Sequence, residues 1–290
     1  MSSPRVVAAV VTRNRRDMLR DSLPAVIGQT REPDRVVVVD NGSDDGTGAM
    51  LAESFPGALV VTLEANQGAT GGFHEAIAAA LREGADWLWL LDDDCFPRPT
   101  ALAELLAALE RLDGAEPPAL LSSRVEWRDG RPHPMNRPIV RSRDEDVLFA
   151  ALRDGLLPVR AATWVSLLIS KEAVERSGMP LRHFFYQADD IEYTARILRR
   201  ARGYFVPTSV VEHRTPAQHT AVDDDHRFFH HTRNTVLMLR GGAWAPSEKP
   251  SLVWWLVRSS AAYLRLNRFS RASVRTLIAG LAAGLRLPAR

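Results

Sequence analysis

The chain has 290 residues, enough for one large domain or two small ones, and its apolar fraction of 46% supports a sizeable core. A formal net charge of +2 is too small to indicate a nucleic-acid-binding protein, so no nucleic-acid partner is expected. The single cysteine, Cys95, excludes an internal disulfide and fits a reducing compartment, so we expect a cytoplasmic protein.

The N-terminal part of the chain alternates apolar runs with helical patterns. Continuous apolar runs predict buried strands, and apolar residues at helical spacing predict the helices between them. The predicted strands are Val6–Val11, Val36–Val39, Leu59–Leu63 and Trp87–Leu91, and the predicted helices are Asp17–Ile27, Gly46–Ser54, Phe73–Glu83 and Ala101–Leu112. This alternation predicts an α/β fold with a mostly parallel, Rossmann-like sheet covered by helices on both faces.

The second half of the chain is less regular. Pro117–Arg160 contains several prolines and mixed charges, and we interpret it as strands and loops. Ala162–Ile169 has a strand-like pattern and leads into a helix near Lys171. The remaining predicted elements are a helix at Tyr193–Ala201 and strands at Tyr204–Val206 and Ser209–Glu212.

Polar residues gather at the ends of the four predicted N-terminal strands. They are Thr12-Arg13-Asn14, Asp40-Asn41, the glycine-rich turn from Asn66 to Gly72, and Asp92–Asp94. Ligands of open α/β sheets bind at the carboxyl ends of strands, so these groups are expected to meet at one edge. Such convergence is what a nucleotide site needs.

The three consecutive aspartates Asp92–Asp94 follow the apolar run Trp87–Leu91 directly. Three neighbouring carboxylates stay ionised only beside positive charge, and a divalent metal ion is the usual source. The alternative is an acidic turn that caps the next helix, since Pro99 and Thr100 precede it. The triplet alone leaves both alternatives open.

Seven short stretches occur in one order along residues 5 to 240. They are V-V-T-R-N-R (10–15), V-V-D-N-G-S-D-D-G-T (38–47), N-Q-G-A-T-G-G-F (66–73), L-D-D-D (91–94), A-D-D-I-E (188–192), V-E-H (211–213) and H-T-R-N (231–234). Together they resemble the family 2 inverting glycosyltransferases, which have the GT-A fold, and most of all bacterial galactofuranosyltransferases and rhamnosyltransferases. The resemblance implies a catalytic domain at residues 1–245, with a donor half at about 1–115 and an acceptor half at about 116–245.

The resemblance assigns a metal site and a donor site. Asp94 and His213 are the implied protein ligands of Mn²⁺ or Mg²⁺, and Asp92 serves the metal or the ribose; a histidine at a strand end is otherwise structural. In extended chain Asp92 and Asp94 point the same way. The residues assigned to the nucleotide sugar are Thr12, Arg13, Asn14, Asp40, Asn66, Gly71, Gly72, Asp92 and Asp93. Asp40 has an alternative role in an Asx-turn.

The resemblance also assigns Asp190 as the base that takes the proton of the attacking hydroxyl. Its place at a predicted helix N-terminus favours the ionised carboxylate, although a plain capping role is the alternative. Asp189 and Trp164 are assigned to the acceptor side, and a core tryptophan is the alternative for Trp164. One base without a covalent nucleophile implies inversion at the anomeric carbon.

The predicted function is therefore metal-dependent transfer of a sugar from a UDP- or dTDP-linked donor to a hydroxyl of a glycan, polyprenyl-linked or small-molecule acceptor. Galactofuranose is the first choice of sugar and rhamnose the second. A sugar-phosphate nucleotidyltransferase is the main alternative, but it should carry arginine and lysine in a glycine-rich loop after the first strand, where this chain has Thr12-Arg13-Asn14. A non-catalytic sugar-binding or membrane-surface module is the other.

Neither a signal peptide nor a transmembrane helix is expected. Val6–Val11 is too short for a signal-peptide core, and no uncharged apolar run reaches about 18 residues.

The C-terminal segment has its own composition. After Glu248 there are seven arginines and no acidic residue, with tryptophans between them. We predict a basic amphipathic helical tail at residues 246–290 that holds the protein peripherally on the cytoplasmic membrane surface. The alternative is a pair of helices packed on the catalytic domain.

Overall fold

The structure is a computed structural model that describes residues 3–112, 117–141, 144–217 and 220–289. The strands are β1 (Val6–Thr12), β2 (Arg35–Asp40), β3 (Leu59–Thr62), β4 (Trp87–Asp92), β5 (Cys95–Pro97), β6 (Leu120–Glu126), β7 (Ile139–Val140), β8 (Leu157–Ala161), β9 (Leu167–Ser170) and β10 (Gly203–His213). The helices are α1 (Arg16–Ile27), α2 (Thr47–Ser54), α3 (Gly68–Arg82), α4 (Ala101–Arg111), α5 (Glu145–Arg153), α6 (Lys171–Ser177), α7 (Asp189–Ile197), α8 (Asp225–Arg240), α9 (Lys249–Leu266) and α10 (Arg271–Arg286).

One central sheet connects the two halves of the described chain. Its strand order is β3-β2-β1-β4-β9-β6-β10-β8-β7, and β5 pairs with β10. The first four strands are parallel, as predicted from their apolar runs. Strand β9 then runs antiparallel to both β4 and β6, whereas β10 runs parallel to β6. The sheet is therefore parallel from β1 to β4 and mixed beyond them.

Helices cover both faces of the sheet, as predicted. The side chains of β1 alternate between two buried clusters, with Val6, Ala8 and Val10 in one and Val7, Ala9 and Val11 in the other. The first cluster includes residues of α1 and α4, and the second includes residues of α3, α6 and α7. Because β1 is buried on both faces, its carboxyl end is held at a defined position.

The structure corrects several predicted boundaries. The segment Pro117–Arg160 contains the helix α5, whose Asp144 side chain accepts a hydrogen bond from the Val147 amide at 3.2 Å. The stretch Ala162–Ile169 is not one strand, because β8 ends before it and β9 begins within it. The two predicted strands at 204–206 and 209–212 are one strand, β10, with an irregular register between Val206 and Val210. Helix α3 begins at Gly68, five residues before its predicted start.

The two C-terminal helices pack on α8. Tyr263 of α9 stacks on Phe228 at 3.7 Å between ring centroids, and its hydroxyl donates to Asp225. From α8, Arg240 donates to the carbonyls of Gly284 and Leu287, each at 2.7 Å. None of the described helices combines the length and the apolar character that a membrane span requires. Arg290 lies outside the described residues.

Candidate active site

A cavity of about 1220 Å³ opens at the carboxyl ends of β1, β4 and β10. Ten of the residues assigned from the sequence line it: Thr12, Arg13, Asn66, Asp92, Asp93, Asp94, Trp164, Asp189, Asp190 and His213. They come from distant parts of the chain, and the order of the strands brings them together. The predicted convergence of strand ends is thus present in the structure.

The aspartate triplet forms the turn between β4 and β5. The Thr12 hydroxyl at the end of β1 donates to Asp93 at 2.8 Å. The guanidinium of Arg15 contacts Asp93 at 3.3 Å and Asp94 at 2.5 Å. The triplet does not cap α4, because β5 lies between them and the N-cap of α4 is Thr100. Since Asp94 lies in a turn after β4, the argument that extended chain points Asp92 and Asp94 the same way does not apply.

Three side chains of the cavity form a cluster suited to a metal ion. Each of Asp92, Asp94 and His213 offers one ligand atom, and these atoms lie within 4.8 Å of one another. His213 Nε2 is 2.9 Å from Asp94 Oδ1, and its Nδ1 is 2.8 Å from Asn136 Oδ1. Because both oxygens accept, both ring nitrogens donate in this arrangement, and although burial opposes the charge, Asp94 raises the pKa of His213. A metal ion would take the place of the Nε2 proton, while Nδ1–H would keep its bond to Asn136, which is how a metal-binding histidine is oriented.

The electrostatics of this cluster also fit a cation. Removal from water, reinforced by the charge of Asp94, raises the pKa of Asp92 to about 7. Burial raises the pKa of Asp93 to about 6. For Asp94 burial is outweighed by His213 and Arg15, which lower its pKa to about 2. Asp94 is thus ionised with the charges the protein supplies, whereas Asp92 and Asp93 have raised pKa values that a divalent ion beside them would lower.

The second carboxylate pair lies at the N-terminus of α7. Asp189 is buried and accepts a hydrogen bond from Trp164 Nε1 at 3.0 Å. Asp190 is half-buried, and its Oδ1 accepts from the Ile191 amide at 2.7 Å. Burial, and then the neighbouring Asp189, raise the pKa of Asp190 well above its ordinary value. A carboxylate with a raised pKa at a cavity wall is suited to accept a proton.

Comparison with known proteins identifies the family to which the chain belongs. The sequence profile of Glycosyl transferase family 2 matches residues 8–164. The chain belongs to this family. It is similar to galactofuranosyltransferase GlfT1 of Mycolicibacterium smegmatis, with 27% identity over 290 residues that cover 92% of this chain and 96% of that protein. The protein is therefore a glycosyltransferase, and not the nucleotidyltransferase or non-catalytic module considered from the sequence.

Two solved structures show the same fold. TarS 1-349 of S. aureus, in complex with UDP-GlcNAc, matches with a TM-score of 0.67 and 14% identity, covering 97% of this chain and 81% of that one. The mannosyltransferase PcManGT of Pyrobaculum calidifontis, in complex with GDP-Man and Mn²⁺, matches with a TM-score of 0.59 and 22% identity, covering 99% and 82%. The GT-A fold predicted for the glycosyltransferase is confirmed.

Four residues assigned to the donor do not line the cavity as the structure describes it. Asp40 Oδ1 accepts the Ser43 amide at 3.0 Å, which is the Asx-turn alternative. Asn14 Oδ1 accepts the Asp44 amide at 2.9 Å. Both side chains hold the turn after β2 in place, so the structure gives them a local structural role.

The other two of these residues are Gly71 and Gly72, which lie inside α3. A Cβ atom on Gly72 would be 2.5 Å from Val11 Cγ1, and one on Gly71 would be 2.4 Å from Gln67 Cβ. The missing side chain of Gly72 lets α3 pack closely on β1. Trp164 is likewise mostly a core residue, since it stacks on Phe73 at 4.5 Å and meets the cavity beside Asp189.

Sequence reasoning missed several residues that organise the site. Arg15 pairs with the triplet, and Asn136 orients His213. Asn41 joins β2 to the start of α3, because its side chain bonds the Gly68 carbonyl and the Gln67 amide, each at 2.9 Å. Arg15 and Asn41 lie within the quoted motifs, so their position was the available signal. Asn136 lies outside these motifs, and the sequence around it does not indicate a functional residue.

The residues before α7 form an unusual segment, which we call the base segment (residues 184–190). Phe185, Gln187 and Ala188 have φ angles of 60°, 67° and 60°, in the left-handed region that side chains disfavour. The Asn234 amide nitrogen on α8 lies 3.0, 2.8 and 2.6 Å from the carbonyl oxygens of residues 184, 186 and 187. The R-N pair of the last motif therefore holds the segment that carries Asp190.

Proposed function

We propose that this glycosyltransferase moves a sugar from a nucleoside-diphosphate donor to an acceptor hydroxyl, with inversion and with dependence on a divalent metal ion. The observation that carries the proposal is one cavity lined by both the cluster of Asp92, Asp94 and His213 and the raised-pKa carboxylate of Asp190. The first group suits a diphosphate and its metal, and the second suits proton removal.

The metal would be held by Asp94 and His213, with Asp92 as third ligand or ribose contact, and Mn²⁺ or Mg²⁺ is the expected ion. A bound divalent ion neutralises the diphosphate leaving group as a Lewis acid. Arg15 is placed to add positive charge on the same side, because its guanidinium already contacts Asp93 and Asp94. Thr12 keeps Asp93 in position through its hydroxyl.

Asp190 is proposed as the general base. The acceptor oxygen forms a bond to the anomeric carbon while the bond from that carbon to the diphosphate oxygen breaks. The proton of the acceptor hydroxyl passes to the Asp190 carboxylate. Asp189 is proposed to support the acceptor side, where the Trp164 indole fixes its orientation. Attack from the face opposite the leaving group inverts the anomeric centre.

The donor is proposed to be UDP-galactofuranose, with dTDP-rhamnose as the second choice. The likeness to GlfT1 along nearly the whole chain supports the first. The acceptor is proposed to be a hydroxyl of a glycan or polyprenyl-linked sugar, used in the cytoplasm. Residues 1–115 would bind the donor and residues 116–245 the acceptor, which agrees with the positions of Asp92–Asp94 and Asp190 on the cavity.

The test measures donor hydrolysis and transfer with a panel of nucleotide sugars, with and without Mn²⁺, for wild type, Asp190→Asn and Asp21→Asn. Asp21 is an exposed residue of α1 and controls for the loss of one carboxylate. We expect Mn²⁺-dependent turnover of UDP-galactofuranose and a loss of about 10²–10⁴-fold in kcat for Asp190→Asn. Full activity of Asp190→Asn, or no metal-stimulated turnover of any donor, would overturn the mechanism.

A further inference from the structure

The C-terminal helices carry most of the exposed apolar side chains of the described chain. Fourteen large hydrophobic residues are exposed, and nine of them lie between residues 253 and 285. The nine are Val253, Trp254, Trp255, Val257, Leu266, Phe269, Val274, Ile278 and Leu285. Scattered exposed apolar residues are normal, but a concentration of this kind indicates an interaction surface.

Three exposed apolar residues of α9 lie on the side that faces away from the protein. Leu252 and Tyr263 are buried, whereas Val253, Trp254 and Val257 are 47%, 66% and 54% exposed. At 3.6 residues per turn the exposed three share one face, opposite the buried pair. The helix is therefore apolar on both sides, and only one of these sides packs on α8.

Helix α10 repeats this arrangement. Its exposed Val274, Ile278 and Leu285 lie on one face, and its buried Ser273 lies on a different one. We define the outer face as Val253, Trp254, Val257, Val274, Ile278 and Leu285 together with the arginines beside them. The arginines, all exposed, are Arg258, Arg265, Arg268, Arg271, Arg275 and Arg286.

The charge of the outer face restricts what can cover it. The chain has no acidic residue after Glu248, and none of these arginines forms an ion pair among the described residues. A second copy joined through this face by two-fold symmetry would place arginines against arginines. An anionic lipid surface instead accepts apolar side chains and arginines together.

The outer face also borders the active-site cavity. Ser251, Leu252 and Trp255 of α9 line that cavity, while Trp254 points outward. Helix α9 thus separates the reaction site from the outer face by its own width. A lipid-linked acceptor lying in the surface that α9 contacts would have its polar end near the cavity.

We propose that the outer face of α9 and α10 docks on an anionic membrane surface, with Trp254 and Val257 inserted among the lipids and the arginines on their headgroups. The docking stands on the exposed residues alone. Its use in presenting a polyprenyl-linked acceptor rests on the proposed function.

The experiment is co-sedimentation of the full chain with vesicles of phosphatidylcholine, with or without phosphatidylglycerol. The variant is the double substitution Trp254→Ser with Val257→Ser. The matched control is Phe149→Ser with Leu152→Ser, which removes two exposed apolar residues of α5 instead. Circular dichroism and thermal unfolding establish that all three proteins are folded.

We expect wild type and control to bind the anionic vesicles, with binding reduced by high salt, and the Trp254/Val257 variant to bind about tenfold more weakly. Wild type that stays in solution with all vesicles, or a variant that binds as wild type does, would overturn the proposal. So would a lipid-free wild-type dimer that this variant converts to monomer, since a second copy would then cover the face.

Donor hydrolysis, measured without lipid, separates this proposal from the proposed function. Neither Trp254 nor Val257 lines the cavity, so the variant should hydrolyse the donor as wild type does. Vesicle binding without turnover of any nucleotide sugar would refute the proposed function and leave the docking surface standing. Turnover of a nucleotide sugar without vesicle binding would refute the docking surface and leave the proposed function standing.

Discussion

The metal cluster and the base segment face the same cavity but are held in different ways. Asp92 lies at the end of β4, directly beside Val11 of the parallel strand β1. Its neighbour Asp93 is fixed by the Thr12 hydroxyl at the end of that strand. The base segment instead contains three left-handed residues, and Asn234, about fifty positions later in the chain, bonds its carbonyls.

This difference has an energetic cause. The metal side is an extension of regular sheet pairing, in which each backbone group already has its partner. A non-glycine residue in the left-handed region costs about 1–3 kcal/mol and persists only where its surroundings hold it. The position of Asp190 should therefore depend on α8 far more than the position of Asp92 does.

The largest effect is expected from Asn234→Ala. The carbonyls of Tyr186 and Gln187 would lose this donor inside the protein, so the free energy of unfolding should fall by about 3 kcal/mol. The kcat should fall, while the affinity for UDP with Mn²⁺, measured by calorimetry, should change little. Thr235→Val is the control, because that hydroxyl bonds only the His231 carbonyl of its own helix. An equal loss of kcat and of UDP affinity would contradict the proposed difference between the metal cluster and the base segment.

Gly68→Ala tests the contact between the start of α3 and the base segment. Gly68 has a φ angle of +72°, and an added Cβ would be 2.2 Å from the Phe185 carbonyl oxygen. The free energy of unfolding should fall by about 1–3 kcal/mol, with both a higher KM for the donor and a lower kcat. Gly57→Ala has open space around it and should be close to neutral. Denaturant unfolding and steady-state kinetics measure both, and an unchanged kcat in Gly68→Ala would contradict the contact.

Asn136→Ala should affect the metal side alone. Without Asn136 Oδ1, the His213 ring loses the acceptor that fixes its orientation, and Mn²⁺ affinity should fall by about 10–100-fold. Thr163→Val removes only the other hydrogen bond of the Asn136 side chain and should weaken Mn²⁺ binding less. Electron paramagnetic resonance titration of Mn²⁺ gives the affinities. A larger effect from Thr163→Val would assign the orientation of His213 to something else.

The smallest effect is expected on the metal-free stability of Asp190→Asn. Burial and Asp189 raise the pKa of Asp190, so the folded protein keeps a proton that the unfolded chain releases. Stability therefore declines as pH rises from the ordinary value of about 3.9 to the raised one. Asparagine has no such titration, so the Tm of the variant should exceed that of wild type at neutral pH. The difference should shrink as pH is lowered, and a difference that grows on acidification would argue against a raised pKa.

The sequence predicted the fold of residues 1–115 better than that of residues 116–245. Continuous runs such as Val6–Val11 and Trp87–Leu91 are strands because both of their faces are buried, and this information is local. Helix α5 was missed although Asp144, Glu145 and Asp146 at its start are ordinary N-terminal signals. The prolines around it favoured loops and obscured that pattern.

Within the site, the order of the motifs alone pointed to Asp92, Asp94, His213 and Asp190, which line one cavity in the structure. The sequence left the turn role of Asp40 as an alternative, and it did not reveal that Asn14 satisfies a turn amide or that Asn136 and Asn234 hold the histidine and the base segment. An amide side chain has the same composition whichever group it bonds. Its partner is chosen only when packing brings distant segments within about 3 Å of each other, and that choice belongs to the tertiary structure.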